Sequence, residues 1–372
     1  MNTCNHYLER QKKLLAWMEG KGIDAAVLHD TEEHRTASMR YLCGHPMDAL
    51  FILKADGTSI LVPWDVHLAE AEATADSIIP QAEFGRDPAA AIEGLLNGLT
   101  ANSKIELSSA TPHPFVSELA QRMSGHEIVC RKEGLAEALL SMRMIKDARE
   151  TTEYERACAA TDKVIDHILN HWDDYGTETD VALAIEHEGR KLGAEKTGFE
   201  TIVSGPQRSW AIHAFPSFGP GSLKETGLTI IDFGLVFGGY TTDVTVTVAR
   251  GALTPAQHEM ISLVTEAHEL AKGMLGPGVM TKDVASAVTA FFGARGKTMP
   301  HSLGHGIGLD IHEYPFLRDR EEGNSALMPG MIITVEPGLY DPQAGGVRYE
   351  NDYLITPDGA VKLTNSRILH IP

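Results

Sequence analysis

The run LTIIDFGLVFGGYTTDVTVTVAR, residues 228–250, sets two aspartates inside sequence that otherwise belongs in a buried sheet. It divides at Gly238-Gly239, a dipeptide suited to a two-residue turn with positive φ at both positions. Such a turn pairs Tyr240 with Phe237 and carries the register back to Asp232 opposite Thr245. Asp243 then shares a face with Asp232, diagonally across the strand pair. Two carboxylates held this way repel each other unless a cation lies between them. The alternative is two solvated acids on an exposed face, but Ile230, Ile231, Phe233 and Val244 are too apolar for that setting. A chain carrying this run must therefore build antiparallel sheet around a polar centre that wants a cation.

Two further segments carry the same chemistry. MIITVEPGLYDPQAGGVRYENDYLITPDG (331–359) reads as strand, glycine-rich connection and returning strand, so Glu336 and Glu350 approach across neighbours, in a register the long connection leaves open. HSLGHGIGLDIHEYP (301–315) carries His301, His305 and His312. Its glycines at 304, 306 and 308 argue for a strand or loop with close backbone approach rather than a helix. His305 sits where those glycines leave room for an ion, and neutral imidazole is a common metal ligand. Asp232, Asp243, His305, Glu336 and Glu350 together form an oxygen-rich donor set with one nitrogen. That set suits two divalent cations about a shared water, Mn²⁺ or Co²⁺ first and Zn²⁺ or Fe²⁺ as alternatives. The chemistry it points to is metal-assisted hydrolysis.

Chain length and charge narrow the rest. The 372 residues are enough for two domains. A boundary near residue 135 separates an α/β N-terminal domain (1–135) from a second domain (136–372) that opens on a charged helical stretch, 139–172. Further helices fit 178–193, 254–274 and 281–295. In the first domain, residues 6–22 read as a helix, 23–30 as a buried strand, and 49–64 as a hairpin turning at Asp56-Gly57. The net charge of −19 argues against a nucleic-acid partner. No apolar run is long enough for a membrane span, and the first residues lack the apolar core of a signal peptide; both predict a cytoplasmic protein. Cys4, Cys43, Cys130 and Cys158 are scattered without a CxxC, which predicts free, buried thiols.

Taken in order, IDFG and TTDVT with Asp232 and Asp243, HSLGHGIGLDIHE with His305, TVEPGLY with Glu336 and GGVRYEN with Glu350 resemble the metallopeptidase family with the pita-bread fold. That family includes methionine aminopeptidase, aminopeptidase P and Xaa-Pro dipeptidase. Residues 139–157 and the segment MRYLCGH (39–45) resemble the branch of prolidase and aminopeptidase P. The resemblance implies an α+β fold: a pita-bread catalytic domain, a pseudo-twofold antiparallel sheet with covering helices, preceded by a smaller α/β creatinase-like domain. It implies hydrolysis of the peptide bond before proline, a peptide substrate with proline second, and a homodimer. It implies that Asp243, His305 and Glu336 hold one ion, that Asp232 holds the other, and that Glu350 bridges them. Glu336 would accept the attacking water's proton. His213 and His312 would be catalytic and substrate-contacting residues, His301 would line the pocket, and Arg348 would order the site and contact substrate.

Two departures bear on substrate. The family's carboxylate-binding arginine has Phe316 at its direct position, with Arg318 or Arg320 able to replace it if the loop bulges. Trp210 stands where small residues are usual, either as a packed aromatic or as a cleft wall. Two rival readings share the fold. One is a metal-dependent hydrolase or lyase of a small metabolite; creatinase itself has its metal positions replaced, whereas all five remain here. The other is a non-enzymatic binding module, which loses ligands that this chain keeps.

Overall fold

The computed structural model describes residues 5–372, and Cys4 lies outside them. The chain divides into two compact units, Met1–Arg143 and Met144–Pro372. The first unit opens with the helix Asn5–Lys21 and centres on a six-stranded sheet. Ala49–Lys54 runs antiparallel to both Ala25–Asp30 and Ser59–Pro63, and the other pairings are parallel. Val27, Ile52, Ile60 and Ile105 on its strands pack against Ile92 and Leu119 of helices Pro88–Leu96 and His113–Arg122. The hairpin turns through Ala55-Asp56-Gly57 rather than through two residues alone: Lys54 N–H bonds to Thr58 O, and Gly57 takes the left-handed conformation at φ 91°.

The charged stretch expected as one helical run is two helices, Leu135–Arg143 and Ala148–Asn170. Asp147 ends the continuity. Its carboxylate accepts the N–H groups of Arg149 and Glu150, while the Glu150 carboxylate accepts the N–H of Asp147. This reciprocal capping box starts a helix afresh. Between the two helices, Lys146 turns inward to an ion pair with Glu313 at 2.9 Å, both side chains buried.

The second unit repeats one order of elements. Helices Ala148–Asn170 and Glu178–Lys191 cover the hairpin Gly227–Phe233 and Val244–Arg250 through a core that includes Val164, Ile185, Ile231, Phe233 and Val246. Helices Pro255–Met274 and Thr281–Gly293 cover the hairpin Ile332–Val335 and Asn351–Thr356 through Val264, Val288, Ile333 and Tyr353. This is the pita-bread arrangement of two related halves.

The first hairpin keeps the expected register: Phe237 pairs with Tyr240 and Asp232 with Thr245. Gly238 and Gly239 have φ of 56° and 89°, as a turn with two left-handed residues demands. The strand is interrupted at Gly234, where a side chain would lie 1.9 Å from the carbonyl oxygen of Thr242. The second hairpin behaves alike. Val335 pairs with Asn351 and Gly338 with Arg348, so one register runs through the break and sets Glu336 against Glu350. Both interruptions fall beside acids of the candidate site.

Gly304 and Gly306 form a short strand, as the segment's glycines require. A Cβ on Gly304 would lie 2.1 Å from Thr334 O, which is backbone and cannot yield. Replacing Gly304 by alanine is expected to cost at least about 1–3 kcal/mol. Gly273, in the last turn of its helix, is the control, because a methyl group added there would have nothing within 4 Å. At that position alanine should stabilise by roughly 0.5–1 kcal/mol. Urea unfolding midpoints of the two variants check both signs.

Candidate metal centre

A cleft of about 550 Å³ in the second unit gathers Asp232, Asp243, His305, Glu336 and Glu350, together with His213, His301, His312, Phe316, Arg318 and Arg348. All five expected ligands therefore face one space. Asp232 comes from the first hairpin's outgoing strand, and Asp243 from the residue just before its returning strand. His305 is central in the glycine strand, opposite Phe316.

The geometry suits divalent cations. His305 Nδ1 lies 3.0 Å from the carbonyl of Gly306, so it carries the ring proton and donates it. Nε2 is then a lone pair, and it faces Asp243 Oδ2 and Glu336 Oε1 at 3.6 Å each. A lone pair between two ionised carboxylate oxygens is repulsive in a buried site unless a cation or a proton sits among them. Donor atoms of Asp243, His305 and Glu350 lie within 4.8 Å of one another. Asp232 Oδ1 and Glu350 Oε1 are buried without a hydrogen-bond partner. Buried polar atoms rarely stay unpaired, and ligation would satisfy both.

Titration shifts follow the same cause. Burial, then the neighbouring Glu350, Asp232 and Glu336, holds the Asp243 carboxyl well above the carboxylate range. Burial and the adjacent Glu336 and Asp232 do the same to Glu350. Glu336 is pushed up to about 8 by burial, with Arg348 opposing. Burial lowers His305 to about 3 and His301 to about 4. His312, its ring 4.4 Å from that of His305, is lowered by desolvation and by His213 and Arg318.

Arg348 organises one wall. Its buried guanidinium donates to Asp232 Oδ2 at 2.5 Å, to Tyr340 Oη at 2.8 Å, to Thr245 Oγ1 at 3.0 Å and to the carbonyl of Ile212 at 3.2 Å. Tyr340 in turn contacts His301 Nε2 at 3.0 Å, while His301 Nδ1 donates to Ser302 O at 2.8 Å. His301 thus lines the cleft with both ring nitrogens engaged inside the protein. His213 is exposed at the cleft on the loop 205–222. That loop is anchored by Glu178, whose carboxylate accepts from Gly205 N–H and from Arg208, at 2.8 Å each.

At the other end, the strand Glu313–Leu317 bulges: His305 pairs with Phe316 but Gly306 pairs with Glu313. Phe316 lines the cleft, and Arg318 stacks on its ring at 3.9 Å and lines the cleft too. Arg320 lies outside it, exposed beside Glu322. Trp210 takes neither expected place. It is 43% exposed, away from the cleft lining, with its indole N–H donated to Gln207 O.

Sequence reasoning passed over Asp352, Thr245 and Tyr340. Asp352 is fully buried and accepts from Tyr154 Oη at 2.8 Å and from the Asp243 N–H at 3.3 Å, so it holds the backbone of an expected ligand. Its signal was period two: Asp352 follows Glu350 on one face of a buried strand. Thr245 and Thr247 alternate with Val244, Val246 and Val248 in a strand with no exposed face. A buried Thr/Val alternation marks one polar side that needs partners. Among the described cysteines, Cys43 and Cys158 are free and buried as expected, whereas Cys130 is free and exposed.

A pH test follows from these shifts. Between pH 7 and 8 the imidazoles of His301 and His305 are mostly neutral in both states, since their ordinary value is 6.5 and their folded values are lower. Glu336, with 4.5 in the unfolded chain and about 8 when folded, still binds more protons folded than unfolded in that window. Asp352, raised to about 8, has the same sign. Stability of the chelator-treated protein should therefore fall as pH rises from 7 to 8. Added Mn²⁺ should flatten that slope, because ligation favours the ionised carboxylates. Thermal melts in EDTA and in Mn²⁺ measure both slopes; a rising slope in EDTA contradicts the assignment.

Comparison with known proteins agrees with this geometry. Residues 152–357 match the model of metallopeptidase family M24, and residues 10–145 match the creatinase/prolidase N-terminal domain. The chain is 30% identical to a Xaa-Pro dipeptidase of Pyrococcus horikoshii over 363 residues, 96% of this chain and 97% of that protein. Among solved structures, it superposes on a Xaa-Pro dipeptidase from Bacillus anthracis with a TM-score of 0.86 at 26% identity, covering 98% of this chain and 100% of that one. It superposes on an X-Pro aminopeptidase from Thermotoga maritima with a TM-score of 0.84 at 26% identity, covering 98% and 99%. With its cluster of buried acids around His305 and its two-halved sheet, the chain belongs to metallopeptidase family M24, in the branch that carries a creatinase/prolidase-type N-terminal domain.

Proposed function

We propose that this protein is a metal-dependent Xaa-Pro dipeptidase that hydrolyses the bond before a C-terminal proline. The observation that carries the reading is the His305 Nε2 lone pair facing two carboxylate oxygens at 3.6 Å each, beside the unpartnered Asp232 Oδ1 and Glu350 Oε1. The relatives named Xaa-Pro dipeptidase support the substrate class. In this reading Asp243, His305 and Glu336 would hold one divalent ion and Asp232 a second, with Glu350 serving both; Mn²⁺ or Co²⁺ suits these donors best. Such ions, when bound, would supply a water acidified to near neutrality and a polarised carbonyl oxygen.

The residues of the chain do the remaining work. Glu336 takes the proton from the attacking water and passes it toward the leaving proline nitrogen. His213 and His312, both lining the cleft, donate to the substrate as the carbonyl becomes tetrahedral. His301 and Arg348 shape the wall, their polar atoms held by Tyr340, Thr245 and Asp232. Arg318 receives the free carboxylate of a dipeptide: it faces the cleft on the Phe316 ring, and the bulge before Phe316 carries it there. The cytoplasmic, homodimeric setting expected from the sequence belongs to the same proposal.

With Mn²⁺ added, a dipeptide with proline second should be cut and a longer peptide with proline second should not. Cleavage of the longer peptide at equal efficiency would overturn the assignment as a dipeptidase. Failure to cut either, with both ions bound, would overturn the peptidase reading and favour a small-metabolite substrate. R318A should lower kcat/KM for the dipeptide about 10–100-fold, the loss of one charge-assisted contact, mainly through KM. D243A and E350A should each abolish activity and lower the bound metal per chain, measured by elemental analysis.

A further inference from the structure

Thr245 is fully buried on the strand Val244–Arg250, and its hydroxyl has two partners. Arg348 Nε lies 3.0 Å from Thr245 Oγ1, and Glu350 Oε2 lies 2.7 Å from it. A guanidinium only donates. The hydroxyl must therefore accept from Arg348, and its one proton is left for Glu350. The chain of hydrogen bonds has a single direction, from guanidinium through hydroxyl to carboxylate.

That direction has a geometric result. Glu350 Oε2 is claimed by Thr245, while Oε1 is buried with no partner. The backbone of Glu350 is tied to the same residue, its N–H donating to Thr245 O at 3.3 Å. Both the main chain and one carboxylate oxygen of Glu350 are thus referenced to Thr245. The other oxygen is left to turn toward Asp243 and His305, whose donor atoms lie within 4.8 Å. Arg348 also bonds Asp232 Oδ2 and leaves Asp232 Oδ1 unpartnered in the same way.

We infer that Thr245 is a positioning residue: its hydroxyl fixes the rotation of the Glu350 carboxylate so that one oxygen is always presented for ligation, and it couples that orientation to Arg348. The inference rests on the two-ion reading above. Valine matches threonine in shape but lacks the hydroxyl, and serine keeps the hydroxyl but lacks the methyl. Without the hydroxyl, Glu350 Oε2 and Arg348 Nε each lose a buried partner, and the carboxylate is free to rotate toward the guanidinium.

The test is Mn²⁺ titration calorimetry on the full-length protein and on T245V and T245S. T245V should bind the more weakly held ion roughly 10–100-fold less tightly, the usual loss when an outer-shell partner of a ligand is removed. T245S should come within about threefold of the wild type, a rescue that lost packing alone would not give. Equal affinity of T245V and wild type overturns the inference, and so does T245S binding as weakly as T245V. If T245V does not fold, T245S and T245A, which differ only in the hydroxyl, replace the pair: weaker binding by T245A supports the inference and equal binding overturns it. A wild-type protein that takes up no Mn²⁺ overturns the two-ion reading itself, whereas tight wild-type binding matched by T245V overturns only the role of Thr245.

Discussion

Four carboxylates gathered around one cleft, with the buried guanidinium of Arg348 among them, set the terms for the second unit. Burial holds the carboxyls of Asp243, Glu336 and Glu350 above the carboxylate range despite Arg348. The architecture is arranged around that cost. Each acid sits at or beside the point where a hairpin is interrupted, so backbone groups that would otherwise close the ladder give way to side chains. The hydroxyls of Thr245 and Thr247 then join one hairpin to the other, through Glu350 and through the backbone of Arg348. Two apolar cores flank this polar joint, one under each pair of helices.

Much of this was legible in the sequence, and the reason is local. Gly238-Gly239 demands a particular turn, and a two-residue turn leaves no freedom in the register of Asp232 and Thr245. The His305 strand was legible for the same reason, because its glycines exclude a helix and imply close approach. The Glu336–Glu350 register was not: its connection is too long to count through, and only the pairing of Val335 with Asn351 settles it. The break between helices at Asp147 is marked in the sequence only by the capping-box spacing of Asp147 and Glu150, inside a charged run that lacks glycine and proline. Arg318 and Trp210 depend on a bulge and a loop, whose paths follow from tertiary contacts rather than local propensity.

The residues missed share a property. Asp352, Thr245 and Tyr340 bond to Asp243, Glu350 or Arg348 from one step outside the cleft lining, so their identity is dictated by three-dimensional neighbours and not by spacing. Buried alternation of polar and apolar residues is the available sign. In VTVTV the valines belong to the apolar core and the threonines to the joint. In ENDYL the acidic residues at 350 and 352 mark the same division.

The unbroken register of the second hairpin has a consequence for how such a chain tolerates change in length. The pairs Asp341 with Gly345 and Gly338 with Arg348 lie between the turn and the acids. Residues added among 342–344 lengthen only the tip and leave every strand pair in place, at the expense of the tip's own bonds, from Gln257 to Ala344 O and from the N–H groups of Gln343 and Ala344 to Asp341. One residue added between Gly338 and Asp341 would slide one strand past the other and turn alternate side chains to the opposite face. The tip is thus a natural place for insertions and the stem is not, although only a few residues separate them.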